Sequence, residues 1–108
     1  MAENNLGEAR RFLEAALAED PRSFEGWHTL GMVFARQRDA EGAIAAWERA
    51  LELQPQAVDL LFNLGLAHAQ AGHTERAADY LELFIERGQD GPLRERAREM
   101  VRLLRRNA

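Results

Sequence analysis

The sequence predicts an all-α fold, a helical solenoid of about two and a half repeats with a C-terminal capping helix. Three observations predict it. A 34-residue pattern recurs along the chain, apolar residues recur at the 3.6-residue spacing of amphipathic helices, and no segment alternates with the two-residue period of a strand. The composition, 46% hydrophobic and 30% charged over 108 residues, is typical of a single folded domain spanning 1–108.

The repeat is visible when residues 58–91 are aligned with residues 24–57. The same period applied toward the N-terminus places residues 5–21 on the second half of a block, so the chain opens on a half repeat. Residues 92–106 follow the second complete block and are the predicted capping helix. The two blocks coincide at Leu30/Leu64, Gly31/Gly65, Ala35/Ala69, Glu41/Glu75, Ala43/Ala77, Glu48/Glu82 and Glu52/Glu86.

Each complete block divides into two amphipathic helices with start and stop residues at their ends. Ser23, Asp39 and Thr74 are residue types that cap helix N-termini, whereas Gly88 and then Pro92 mark a stop and a restart. These signals predict six helices, over 5–19, 23–37, 39–53, 57–71, 74–87 and 92–106.

The first complete block carries small and large residues in a fixed order and at fixed spacing. It contains Trp27-x-x-Leu30-Gly31-x-x-Phe34, then Ala43-x-x-x-Trp47-x-x-Ala50, then Pro55. This series resembles the pattern of the tetratricopeptide-repeat (TPR) family. Glycine and alanine leave room for two helices to approach closely, and a proline ends the second helix because it lacks an amide donor. The second block matches less fully, with His68 where an aromatic is usual. The predicted repeat-packing residues are Trp27, Leu30, Gly31, Phe34, Ala43, Trp47, Ala50, Pro55, Leu64, Gly65, Ala77 and Leu81.

The last helix differs from the others because it is polar on the side where a following helix would pack. Its apolar stripe consists of Leu93, Ala97, Met100, Val101 and Leu104. In the repeat register, the places that Trp27, Leu30, Gly31 and Phe34 hold in the first block are taken by Glu95, Arg98, Glu99 and Arg102. A solenoid needs a polar outer face where it ends. We therefore expect residues 92–106 to cap the array.

No pattern for catalysis or cofactor binding is present in the sequence. There is no cysteine, no glycine-rich phosphate loop, and no serine, histidine and aspartate arrangement with an activating context. Of the three histidines, we expect His28 on an inner face, His68 in a packing face and His73 in a turn, with no shared face that could hold a metal. The sequence therefore predicts a protein that is not an enzyme and that has no metal and no cofactor.

The TPR resemblance implies a binding function, because arrays of this family use the inner, concave face for ligands. In the repeat register the groove residues are His28, Met32, Phe62, Asn63 and Leu66. Apolar residues with polar edges suit an amphipathic or extended peptide, so the predicted partner is another protein or peptide. One TPR subclass holds the C-terminal carboxylate of heat-shock chaperones through lysines, an asparagine and an arginine on this face. All fourteen basic residues here are arginine, so we reject that specialised function.

An alternative function is self-association through the first helix. Residues 5–19 carry more apolar positions than one packed face needs, and Leu6, Phe12 and Leu13 form the possible self-association edge. The last helix is polar on the side where a following helix would pack. The first helix is not polar on the side where a preceding helix would pack. The sequence therefore leaves a weak homodimer open beside the peptide-binding scaffold.

Charge and composition bear on partners and location. The net charge of −4 argues against general nucleic-acid binding, although six arginines lie in residues 92–108. No bilayer-spanning apolar run and no signal peptide are visible, so we expect a cytoplasmic protein or a fragment of a larger one. The exclusive use of arginine suggests a GC-rich bacterial genome.

Overall fold

The structure is a computed structural model, and it describes residues 3–106. Within this range the chain forms helices and connecting turns, with no strand. The all-α TPR prediction is confirmed, and every described helix boundary lies within two residues of the predicted one. The helices are α1 (Glu3–Glu19), α2 (Phe24–Arg36), α3 (Ala40–Leu53), α4 (Val58–Gln70), α5 (Thr74–Arg87) and α6 (Pro92–Arg106).

Side chains at helix starts explain two of these boundaries. Ser23 accepts a hydrogen bond from the amide of Gly26 at 3.0 Å, and Asp39 accepts one from the amide of Gly42 at 2.9 Å. Each satisfies an amide that has no partner within its helix. The expectation that Thr74 caps α5 is wrong. Thr74 is the first helical residue, and the cap position belongs to His73, whose side chain makes no cap hydrogen bond.

The helices form two compact units that divide after Pro55. In the first unit, α2 pairs with α3 and α1 packs on α2. The pair approaches closely at Gly31, where a β-carbon would collide with the indole of Trp47. That indole is buried, and its N–H donates to the backbone oxygen of His28 at 3.1 Å. The close approach that the sequence predicts at Gly31 is present in the structure.

The second unit repeats this arrangement with different side chains. Helix α4 pairs with α5, and α6 packs on α5 through the fully buried Ala97. A β-carbon on Gly65 would lie 2.6 Å from the side chain of Leu81, so the pair again meets at a glycine. The rings of Phe62 and Phe84 pack with centroids 5.2 Å apart.

The turns inside the two helix pairs have the same geometry. Arg38 and Gly72 stand one repeat apart, and both have a positive φ, 62° and 86°. The next residue then donates back to the helix, from the amide of Asp39 to the oxygen of Phe34 and from that of His73 to the oxygen of His68. Glycine adopts this left-handed conformation without steric cost, whereas arginine does not. The first turn is therefore held by its packing and hydrogen bonds against a local backbone preference.

Candidate polypeptide-binding surfaces

In the first unit, the side of α2 that faces away from α3 is partly open to solvent. Met32 is 39% exposed, and Thr29 beside it is also exposed. His28, one turn earlier, is half-buried, and its ring lies 5.7 Å from that of Phe24. A methionine adapts its shape to different apolar partners because its side chain is unbranched and polarisable. The structure thus places His28 and Met32 together on one accessible strip.

In the second unit, the corresponding side of α4 is less open than the sequence suggested. Asn63 and Leu66 are half-buried and lie one turn apart. Phe62 is only 7% exposed, because its ring packs against Phe84 of α5. The expectation that Phe62 is accessible in the free chain is therefore wrong. The strip of Asn63 and Leu66 stays partly accessible on this surface.

The N-terminal helix also differs from its expected exposure. Phe12 is 74% exposed and Leu13 is half-buried, as an unpaired edge requires. Leu6 is only 3% exposed, so the inclusion of Leu6 in the edge is wrong. It lines a small cavity of the first unit together with Gln37 and Arg38 at the end of α2. The helix turns Leu6 and Leu17 toward α2 and leaves Phe12 on another side.

A larger cavity in the first unit was not predicted from the sequence. It has a volume of about 500 Å³ and lies where α1, α2 and α3 meet. Two arginines lie over aromatic rings of its lining, Arg49 at 5.9 Å from the Trp27 ring and Arg10 at 4.8 Å from the Phe34 ring. In the sequence, the small residues of α3 are the feature from which this cavity could have been predicted. The lining residues are Glu14, Leu17, Ala18, Trp27, Leu30, Phe34, Gly42, Ala45, Ala46 and Arg49.

Two of the histidines meet, although the sequence predicted no face shared by all three. The Nδ1 atoms of His68 and His73 are 2.9 Å apart, and Tyr80 stacks on the His68 ring at 5.4 Å. One ring must donate its Nδ1–H to the other. His68 is buried, so this bond ties the end of α4 to the start of α5. Among the side chains that the structure describes, no three metal-ligating groups converge.

The arginines of α6 are largely engaged with carboxylates at the surface. Arg94 binds Asp90 at 2.6 Å, and Arg98 binds Glu95 at 2.6 Å. Arg105 reaches α5 and binds Glu82 at 2.7 Å, and this carboxylate raises the pKa of Arg105 above its ordinary value. These pairs are exposed, so they distribute charge over a solvated face.

None of the described helices is both long and apolar enough to cross a bilayer.

Comparison with known proteins agrees with this architecture. Two tetratricopeptide-repeat family models match the chain, one over residues 30–102 and another over residues 1–45. The chain therefore belongs to the tetratricopeptide-repeat family. It is 35% identical over 86 residues to the human PEX5-related protein, and 35% identical over 81 residues to the peroxisomal targeting signal receptor of Komagataella phaffii.

These alignments cover 80% and 75% of this chain but only 14% of each relative, so the chain spans about a seventh of the length of those proteins. A solved structure with the same fold is the Yersinia enterocolitica type III secretion chaperone SycD in complex with a peptide of the translocator YopD. It aligns with a TM-score of 0.83 at 17% identity, covering 96% of this chain and 82% of the chaperone.

Proposed function

We propose that this chain is a polypeptide-binding scaffold that uses the exposed sides of α2 and α4. The observation that carries the proposal is the accessible strip of α2, where Met32 stands exposed beside the half-buried His28. Asn63 and Leu66 supply a matching polar and apolar pair on α4. Support comes from the relatives, because one is named as a receptor for a targeting signal and a structural neighbour was solved with a bound peptide.

The chemistry of these strips favours an amphipathic helix or an extended peptide as the ligand. Methionine and leucine offer apolar contact, while the asparagine amide can both donate and accept hydrogen bonds to a peptide backbone. Phe62 packs against Phe84 and offers little contact area to a ligand in the free chain. This assignment gives the chain a binding role and no catalytic step.

A phage-displayed random peptide library, selected on the purified chain, provides a test. We expect enriched peptides whose binding, followed by fluorescence anisotropy, is weakened at least about tenfold by Met32→Glu or by Leu66→Glu, since each buries a charge against apolar ligand groups. Leu93→Glu is the matched control, because Leu93 is an exposed leucine on α6. Helical circular dichroism should be unchanged in all three. No enrichment, or an equal loss in the control, would contradict the proposal.

Self-association at the N-terminal edge is a second candidate function. The observation that favours it is the exposure of Phe12, a large aromatic residue with neighbouring alanines, Ala15 and Ala16, that are also exposed. Light scattering over a range of concentrations tests it. The average mass of the parent chain should rise with concentration, and Phe12→Glu should remove the rise. A mass that stays at one chain throughout would exclude this function.

A further inference from the structure

We propose that the cavity where α1, α2 and α3 meet binds a small carboxylic acid with an apolar body, and that Arg49 holds its carboxylate. The inference goes beyond polypeptide binding, because this cavity is lined by another side of α2 than the strip of His28 and Met32. Its volume of about 500 Å³ lies within the range of small-molecule sites, about 300–1,000 Å³. The walls that form it all belong to the first unit.

The floor of the cavity is apolar and held in place. It consists of Trp27, Leu30 and Phe34 of α2. The Trp27 indole is fixed by its N–H, which donates to the backbone oxygen of Pro21 at 2.8 Å. On the α1 wall, Leu17 packs so closely on α2 that a β-carbon on Gly26 would lie 2.7 Å from its side chain. A ligand therefore meets surfaces whose positions are already set, which reduces the entropy lost on binding.

The cavity exists because α3 carries small residues where α5 carries a large one. Ala46 of α3 corresponds to Tyr80 of α5, one period later. In the second unit the Tyr80 ring stacks on His68, and the counterpart of His68 in the first unit is Phe34. Ala46 has no ring to place over Phe34, and Gly42, one turn earlier, is smaller still. Position 46 thus leaves open a volume that a tyrosine occupies in the next block.

Two guanidinium groups at this cavity determine the charge of the ligand. That of Arg49 lies 5.9 Å from the Trp27 ring, and that of Arg10 lies 4.8 Å from the Phe34 ring. The carboxylate of the lining is Glu14 on the α1 wall, and Arg10 already pairs with it at 3.4 Å. A cationic ligand would therefore meet two arginines against one carboxylate, whereas an anionic ligand is attracted to both arginines.

Arg49 is the arginine placed to bind the anion. It lies in the lining, and its ion pair with Glu52 uses Nη1 at 2.9 Å. A guanidinium has five N–H groups, so this pair leaves donors for a second carboxylate, which arginine can bind in a planar, bidentate geometry. The Arg49 side chain is 45% exposed. An acid with its apolar body over the floor would thus keep its charge at the mouth of the cavity, where water still reaches it.

Ligands that share an eight-carbon tail test the site by proton–nitrogen NMR. Trp27 lines the cavity and Trp47 is buried against Gly31, so their two indole N–H signals provide a reporter and an internal control. We expect octanoate to move the Trp27 signal with a Kd of about 0.1–1 mM, as suits a ligand of this size. 1-Octanol and octylammonium should bind at least about fivefold more weakly. Acetate, which has the carboxylate but no tail, should leave the signal in place.

A matched pair of arginine variants tests the role of Arg49. Arg49→Gln should lower the affinity for octanoate about fivefold and leave the affinity for 1-octanol unchanged, because only the acid uses the guanidinium. Arg98→Gln is the control. Arg98 forms an exposed ion pair of the same spacing, with Glu95 in the second unit, so its loss should leave octanoate binding as in the parent.

Filling the cavity tests its position. Ala46→Tyr gives α3 the side chain that α5 carries at the same place, and it should abolish octanoate binding because the ring occupies the cavity. Ala35→Tyr, on an exposed side of α2, is the control and should bind octanoate as the parent does. Ala45→Trp closes the mouth at an exposed position of α3, so it provides the same test if Ala46→Tyr fails to fold.

Four results would overturn the inference. One is a Trp27 signal that octanoate does not move, and another is equal affinity for octanoate and octylammonium. Octanoate binding that persists in folded Ala46→Tyr or Ala45→Trp chains would place the acid elsewhere. A library peptide that moves the Trp27 signal when octanoate does not would assign the cavity to a polypeptide side chain. Peptide binding at Met32 is measured on another side of α2, so neither experiment decides the other.

Discussion

Gly7 and Gly31 both lie inside helices, but their surroundings differ. A β-carbon on Gly31 would collide with the Trp47 indole, whereas the nearest atom to one on Gly7 is a flexible arginine terminus at 3.9 Å. We expect Gly31→Ala to lower the free energy of unfolding by about 1–3 kcal/mol, because overpacking displaces a buried ring. Gly7→Ala should raise it by about 0.5–1 kcal/mol, since alanine loses less backbone entropy in a helix. Urea unfolding measures both, and changes of the same sign would contradict this account.

The bond between His68 and His73 gives a second prediction at the scale of single residues. His73→Ala removes the partner of a ring nitrogen on a buried side chain, so we expect a loss of about 1–3 kcal/mol in the free energy of unfolding. His73→Asn is the matched control. Its amide can reach the same ring and can also cap α5, so the loss should be smaller. Equal unfolding free energies for the alanine variant and the parent would show that the bond does not contribute.

The starts of the helices can be compared between repeats. Asp39 caps α3 with its side chain, and Ser23 caps α2, but Ala57, one period after Ser23, gives α4 no side-chain cap. We expect Asp39→Ala to lower the free energy of unfolding by about 1 kcal/mol and Ala57→Asp to raise it by a similar amount. Thermal melts followed by circular dichroism would test the pair. If neither substitution changed the melting temperature, packing alone would set these helix boundaries.

For the whole molecule, the described ion pairs lie at the surface. Each has at least one side chain with more than 40% of its area exposed, and such pairs contribute little because water and salt screen them. Raising the salt to about 1 M shortens the screening length to about 3 Å. We expect the melting temperature to move by no more than about 5 °C, which corresponds to about 1 kcal/mol in a domain of this size. A much larger fall would assign the stability to charge and not to the apolar cores.

The sequence by itself determined the helices, their order and the places where they meet. Spacing of apolar residues fixes which side of a helix is buried, and the absence of a side chain at Gly31 and Gly65 marks where two helices approach. The polar side of α6 was predicted from the 34-residue repeat register. These features were predictable because they depend on local period and residue size, which each segment carries within itself.

Exposure of individual side chains was decided only by the tertiary structure. Phe62 and Met32 are both predicted groove residues, yet Phe62 is covered by Phe84 while Met32 stands open. Leu6 is buried and Phe12 is exposed on the same helix. A position on a helix sets the direction of a side chain but not which groups that side chain contacts. The covering groups come from other helices, and their placement follows from packing between segments distant in the sequence.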